Sequence, residues 1–166
     1  MFKGILEKSC ERILRMKNNI FELLQESKYS DFGDGVSATW IELAERELNL
    51  KFSPSYRNFL EKFGFGELGG VEVFGIYQLP FDKIVGGGDI VSKNIIYRKN
   101  NQKNSDRLYV SDDNGEELFY FDLSRVLPCG EYAIRRIDRI AGTDEVYAED
   151  FFKFLLKRLE FFESAE

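Results

Sequence analysis

The dipeptide Asn114-Gly115 stands between two apolar runs, Leu108 to Ser111 and Leu118 to Asp122. Asn and Gly are the residues that most readily take the positive φ needed at both corners of a tight hairpin turn. This feature commits the middle of the chain to an antiparallel pair of strands. A two-residue turn sets Val110 facing Phe119 and Leu108 facing Phe121, which gives a coherent buried side. It also sets Asp113 opposite Glu116 and Asp112 opposite Glu117. Directly opposed like charges destabilise a sheet, and local rules of this kind tend to be broken where function demands it. Counting Asp122, residues 112 to 122 hold five acids and no Lys or Arg.

Helical patterns flank this strand-rich middle. Residues 5 to 26 place Leu6, Cys10, Ile13, Ile20 and Leu24 at three- and four-residue steps, with Lys17 interrupting the stripe. Residues 27 to 38 form a polar loop. A second helix is predicted from about Thr39, where Thr39 and Glu42 have capping-box spacing, to Asn49, which tolerates a left-handed end. Ser53-Pro54 then supplies a cap and a proline at the first helical position. Tyr56, Phe59, Leu60 and Phe63 follow at helical spacing, and Gly64 stops the helix. Further on, the pattern predicts a strand at Val71 to Phe74, a helix from Asp89 to about Lys99, a strand over Glu131 to Ile137 and a last helix over Ala148 to Phe162. Helices at both ends around a strand-rich centre predict an α+β fold with a largely antiparallel sheet, and no repeat or second domain shows within residues 1 to 166.

Composition narrows the chemistry. The chain of 166 residues contains no His, so Ser-His and Cys-His nucleophile pairs, His metal ligands and a His pH switch are excluded. Asp and Glu number 29 against 23 Lys and Arg, a net charge of −6. Nucleic-acid binding runs on clustered Lys and Arg, so this acidic balance disfavours direct nucleic-acid contact and suits a basic partner or simply solubility. Cys10 and Cys129 form no C-x-x-C and are expected as two free thiols in a reducing compartment. Met1 to Glu7 lacks the long apolar run of a signal peptide, and no stretch approaches the roughly 18 apolar residues of a membrane span. A cytoplasmic chain without membrane contact is expected.

Several motifs are weaker than their letters. Gly64-Phe65-Gly66-Glu67-Leu68-Gly69 spells a dinucleotide fingerprint, but the order here is helix, glycines, strand, the reverse of what places a helix N-terminus on a pyrophosphate. Gly86-Gly87-Gly88 lacks the Lys and Ser/Thr of a phosphate loop. The acids of Asp112-Asp113-Asn114-Gly115-Glu116-Glu117 lack the alternating ligand spacing of a calcium loop, and an exposed turn offers no cleft for paired-carboxylate hydrolysis. No cofactor and no metal are expected. Asp112, Asp113, Glu116 and Glu117 are the candidate partner contacts, although the same acids would keep a tip soluble and block edge pairing. Lys93, Arg98, Lys99, Lys103 and Arg107 form a basic segment just before the hairpin that either complements the acids internally or marks another contact. Phe65, Tyr77, Phe81 and Tyr97 fit no apolar stripe cleanly.

From the second helix onward the residues form a familiar series. Ile41-x-x-x-Glu45, Leu48, Pro54-Ser55-Tyr56, Phe59-Leu60 and a glycine-rich helix end are followed by Gly75, Gly115, Gly130-Glu131-Tyr132 and Phe151-x-x-Phe154-Leu155. This series, over roughly residues 39 to 160, resembles the SUKH superfamily, which includes bacterial immunity proteins and a fungal regulator of cell-wall synthesis. Ser53 stands where the family usually has Leu, and Gly64-Phe65-Gly66 where it often has Asn-Gly-Gly. The resemblance implies one SUKH-like domain and a cytoplasmic antitoxin, not an enzyme, that binds and neutralises a bacterial toxin, commonly a nuclease, by occlusion. An acidic inhibitor suits the basic active site of a nuclease, and charge complementarity accelerates encounter. An intracellular scaffold or regulatory protein-binding module is the alternative. A carboxylate-dependent hydrolase, the third reading, requires a pocket with two convergent acids of perturbed pKa. Oligomeric state has no signature in the sequence.

Overall fold

The third predicted helix forms as its sequence dictates. In the computed structural model, which describes residues 2–84, 86–100 and 104–165, Ser53 accepts a hydrogen bond from the Tyr56 N–H and Pro54 opens the helix. Tyr56, Phe59, Leu60 and Phe63 are buried, and Gly64 ends the helix at φ 74°. In chain order the described elements are α1 (Phe2–Glu26), β1 (Ser30–Phe32), α2 (Ala38–Leu48), α3 (Pro54–Phe63), β2 (Gly66–Leu68), β3 (Val71–Val73), α4 (Ile90–Asn100), β4 (Arg107–Asp112), β5 (Glu117–Asp122), β6 (Ile134–Asp138), β7 (Thr143–Ala148) and α5 (Phe151–Ser164). Short 3-10 turns lie at Phe81–Lys83 and Pro128–Gly130. Asn49 takes the expected left-handed end of α2, at φ 54°. The capping box does not form: Thr39 lies inside α2, and Ser37 is the N-cap residue without a side-chain cap bond. Entry to the helix is instead fixed by buried Val36, whose N–H donates to the Leu60 carbonyl.

The seven strands form one antiparallel sheet in the order β1 to β7, each beside its sequence neighbours, so the fold is α+β as the sequence implies. Strand alternation divides the sheet into two faces. Leu108, Phe119, Phe121 and Ile134 share the face toward α3 and α5. There Phe121 meets Tyr56 at 5.3 Å and Phe119 meets Phe154 at 5.2 Å between ring centroids. Tyr109, Tyr120 and Arg135 lie on the opposite face. α4 covers part of it, with Asn94 bonded to both the N–H and the carbonyl of Tyr109. α1 packs its C-terminal half beside α3 and α5, where Phe21 stands edge-on to Phe63 and Phe152.

Three strands escaped the sequence pattern. β1 and β2 are three residues each, too short to display a period, and they replace part of the expected polar loop and the expected glycine turn. β7 is an edge strand whose first four residues are exposed, so it carries no apolar alternation. The cysteines also correct the expectation of free thiols. Cys10 of α1 and Cys129 of the 128–130 turn are disulfide-bonded, with Cα atoms 5.7 Å apart. Their separation of 119 residues is closed only by the docking of α1, which no local spacing reveals.

Candidate protein-binding surface

At the hairpin tip the expected two-residue turn is absent. The Asp113 N–H donates to the Glu117 carbonyl at 3.2 Å, and Asp112 pairs with Leu118. The register shifts between Tyr109 and Ser111, so Val110 does not face Phe119, whereas Leu108 and Phe121 pair as expected. The loop is rebuilt around carboxylates. Asp113 Oδ1 accepts from the Glu116 and Glu117 N–H groups at 2.8 and 2.7 Å, and Asp112 Oδ1 accepts from the Asn114 N–H at 3.0 Å. Asp113 faces Glu117 instead of Glu116, and the second expected like-charge pair is dissolved.

The four candidate acids therefore divide. Glu117 points to the α5 face, 3.1 Å from Arg136 and 2.9 Å from the buried guanidinium of Arg158. Asp112 lies on the opposite face, accepts from the Tyr97 hydroxyl and lies 3.4 Å from Arg139. Burial, together with the bond to this carboxylate, raises the Tyr97 hydroxyl well above its ordinary pKa. Glu116 is exposed and Asp113 half-buried. Two acids thus brace the tip, one spends an oxygen on its backbone, and one projects freely into solvent.

A second group of acids was missed. Leu68-Gly69-Gly70-Val71 forms a tight hairpin with φ 63° and 77° at its glycines. Glycine is required at Gly69, where a Cβ would come within 2.4 Å of the Phe162 ring. This register sets Glu67 opposite Glu72, while β1 sets Asp31 opposite Glu67. Three carboxylates thus stand in line across three strands, on the face away from Leu68 and Val73. One further antiparallel step beyond the Val73–Ser111 pair brings Asp112 beside Glu72, so the acidic line runs on toward the hairpin. A groove of about 430 Å³ includes Asp31, Glu67 and Glu72 with Phe32, Phe65 and Tyr77. Phe65 is 39% exposed and stands edge-on to Tyr77, whose hydroxyl donates to Glu72 at 3.1 Å. Gly-Gly between Glu67-Leu68 and Val71-Glu72 is itself a hairpin signal, and reading it would have exposed the opposed pair.

The basic segment is largely spent inside the molecule. Arg98 donates to the Leu48 carbonyl at 3.0 Å, and Lys93 lies over the Phe74 ring. Arg107 stacks on Tyr120 and joins Arg135 around Asp144, at 3.2 and 2.8 Å. Lys99 is exposed, and Lys103 lies outside the described residues. Phe81 packs edge-on to Trp40. The buried carboxylates serve backbone. Glu131 accepts from the Ser55 N–H at 2.8 Å and the Ser55 hydroxyl at 2.6 Å, with burial pushing its carboxyl above the ordinary value. Asp150 caps α5, Asp89 caps α4, and Glu45 accepts from the Phe52 N–H, Lys51 and Arg57.

No helix among the described residues is long and apolar enough to cross a membrane. No curated protein matches the chain significantly. A family model does: SUKH_6, described as SMI1-KNR4 cell-wall, matches residues 38–155, from the start of α2 into α5. That span contains α2, α3, all strands but β1, and the buried Glu45 and Glu131 whose bonds fix the start of α3, so the chain belongs to the SUKH family.

Proposed function

We propose that this protein is an immunity protein, a cytoplasmic antitoxin that binds a cognate bacterial toxin and neutralises it by occlusion, without metal, cofactor or chemistry of its own. Family membership over residues 38–155 is the observation that carries this reading. The arrangement of charge supports the mode of binding. Asp31, Glu67 and Glu72 stand in register beside a groove walled by aromatic rings, and Asp113 and Glu116 extend the acidic surface at the hairpin tip, with Asp112 and Glu117 bracing it. Such a face suits a basic protein, and a nuclease is basic where it holds phosphate. The description of the family by the cell wall favours, as a second reading, a regulatory module for endogenous proteins.

Co-expression tests the reading. Candidate toxins encoded beside the gene are expressed with and without the chain in a sensitive host. Rescue of growth, with a complex recovered at equal stoichiometry, is the expected result. Killing undiminished by every neighbouring toxin overturns immunity and leaves the regulatory reading. Replacing Asp112, Asp113, Glu116 and Glu117 by Asn and Gln then asks a narrower question. Unchanged affinity and salt dependence would remove the hairpin from the contact while leaving the function in place.

A further inference from the structure

The disulfide joins a residue outside the matched region to one inside it: Cys10 lies in α1, before residue 38, and Cys129 lies within 38–155. α1 is held unevenly. Ile20, Phe21 and Leu24 are buried in its C-terminal half, whereas no described side chain before Ile20 is buried and Leu14 is 60% exposed. Arg12 reaches Glu149 at 3.7 Å, but both are largely exposed, and such a pair holds little. Of the described side chains in that half, Ile13 is only partly buried against the core, and a helical segment of about 15 residues with so little burial is marginal in water. Among the described contacts, the covalent link at Cys10 is therefore the firmest hold on the first half of α1. Cys129 presents its sulfur from φ 69°, a left-handed conformation that L side chains rarely adopt. Both cysteines are half-buried, neither of them sealed in the core.

We propose that Cys10–Cys129 is a redox clasp. Closed, it holds residues 2–16 of α1 against the 128–130 turn; open, it frees that segment while Ile20, Phe21 and Leu24 keep the rest of α1 docked. Opening is exchange with a low-molecular-weight thiol. One external thiolate attacks a cysteine sulfur, forms a mixed disulfide and expels the other cysteine as thiolate. A second external thiol attacks the mixed disulfide, leaving Cys10 and Cys129 reduced and the two external thiols joined as a disulfide. Two electrons and two protons pass to the protein, and a low-molecular-weight disulfide closes the clasp by the reverse route. A thiol-rich cytoplasm holds it open and an oxidising compartment holds it closed. The clasp stands whether or not the immunity reading does.

Hydrogen exchange on the full chain tests it, after equilibration with oxidised glutathione or with dithiothreitol and beside Cys10→Ser. Intact mass should show the oxidised form lighter by two hydrogens. Reduction should then speed exchange in residues 2–16 by about tenfold or more, with residues 20–26 still protected. Cys10→Ser should match the reduced protein and ignore dithiothreitol. Two free thiols after oxidation overturn the proposal, as do unchanged protection of 2–16 or equal loss of protection in 20–26. Should Cys10→Ser fail to fold, the oxidised and reduced wild-type protein decide alone.

Discussion

Tyr56 shows how much one side chain of α3 holds. Its ring lies 5.0 Å from that of Phe151 and 5.3 Å from that of Phe121, and its hydroxyl donates to the Phe74 carbonyl at 2.6 Å. Tyr56→Phe keeps the ring and orphans a buried carbonyl, so urea unfolding should show a loss of about 1–2 kcal/mol with an unchanged m-value. Tyr120 gives a prediction in pH. Burial, then the bond to Asp144, pushes its hydroxyl from 10.0 up to about 12. The unfolded chain ionises this phenol first as pH rises. The stability that Tyr120 contributes is therefore complete below pH 10 and lost between 10 and about 12. Denaturation across that range should show a decline that Tyr120→Phe makes shallower; an identical decline in the variant would assign it to other groups, Tyr97 among them.

At the scale of elements, legibility followed from how far a signal reaches along the chain. α3 was readable because its cap, proline, apolar period and glycine stop lie within Ser53 to Gly64. The β4–β5 hairpin was readable in kind and in its Leu108–Phe121 pairing but not toward its tip, because the shift between Tyr109 and Ser111 and the three N–H bonds accepted by Asp112 and Asp113 belong to the folded tip. β7 was hidden by the acids that an exposed edge strand carries. The line Asp31–Glu67–Glu72 joins two segments more than thirty residues apart, and half of it was readable from Gly69-Gly70. That line predicts opposite signs for stability and binding. Glu67→Lys places a cation between two carboxylates and should raise unfolding free energy by about 0.2–1 kcal/mol. The same change should weaken capture of a basic toxin. Lower stability would mean that the three carboxylates do not repel one another, and undiminished affinity would move the contact elsewhere.

For the whole molecule, charge placement matters more than its sum. The net charge of −6 comes with Arg107, Arg135, Arg136 and Arg158 engaged by Asp144, Glu145 and Glu117, so those cations reinforce the fold. Asp31, Glu67 and Glu116 are exposed, and their field reaches a partner before contact does. Screening sets how far it reaches: the Debye length falls from about 30 Å at 0.01 M salt to about 8 Å at 0.15 M. Association with a basic toxin should then slow by about tenfold or more across that range, with dissociation nearly constant, since steering acts on encounter. In a variant with Asp31→Asn, Glu67→Gln and Glu116→Gln the association rate should be lower at 0.01 M and should vary less with salt. Stopped-flow mixing with the toxin from which the chain rescues growth measures both rates. A variant as salt-sensitive as the parent would show that the acidic line does not steer the encounter, whatever it touches in the final complex.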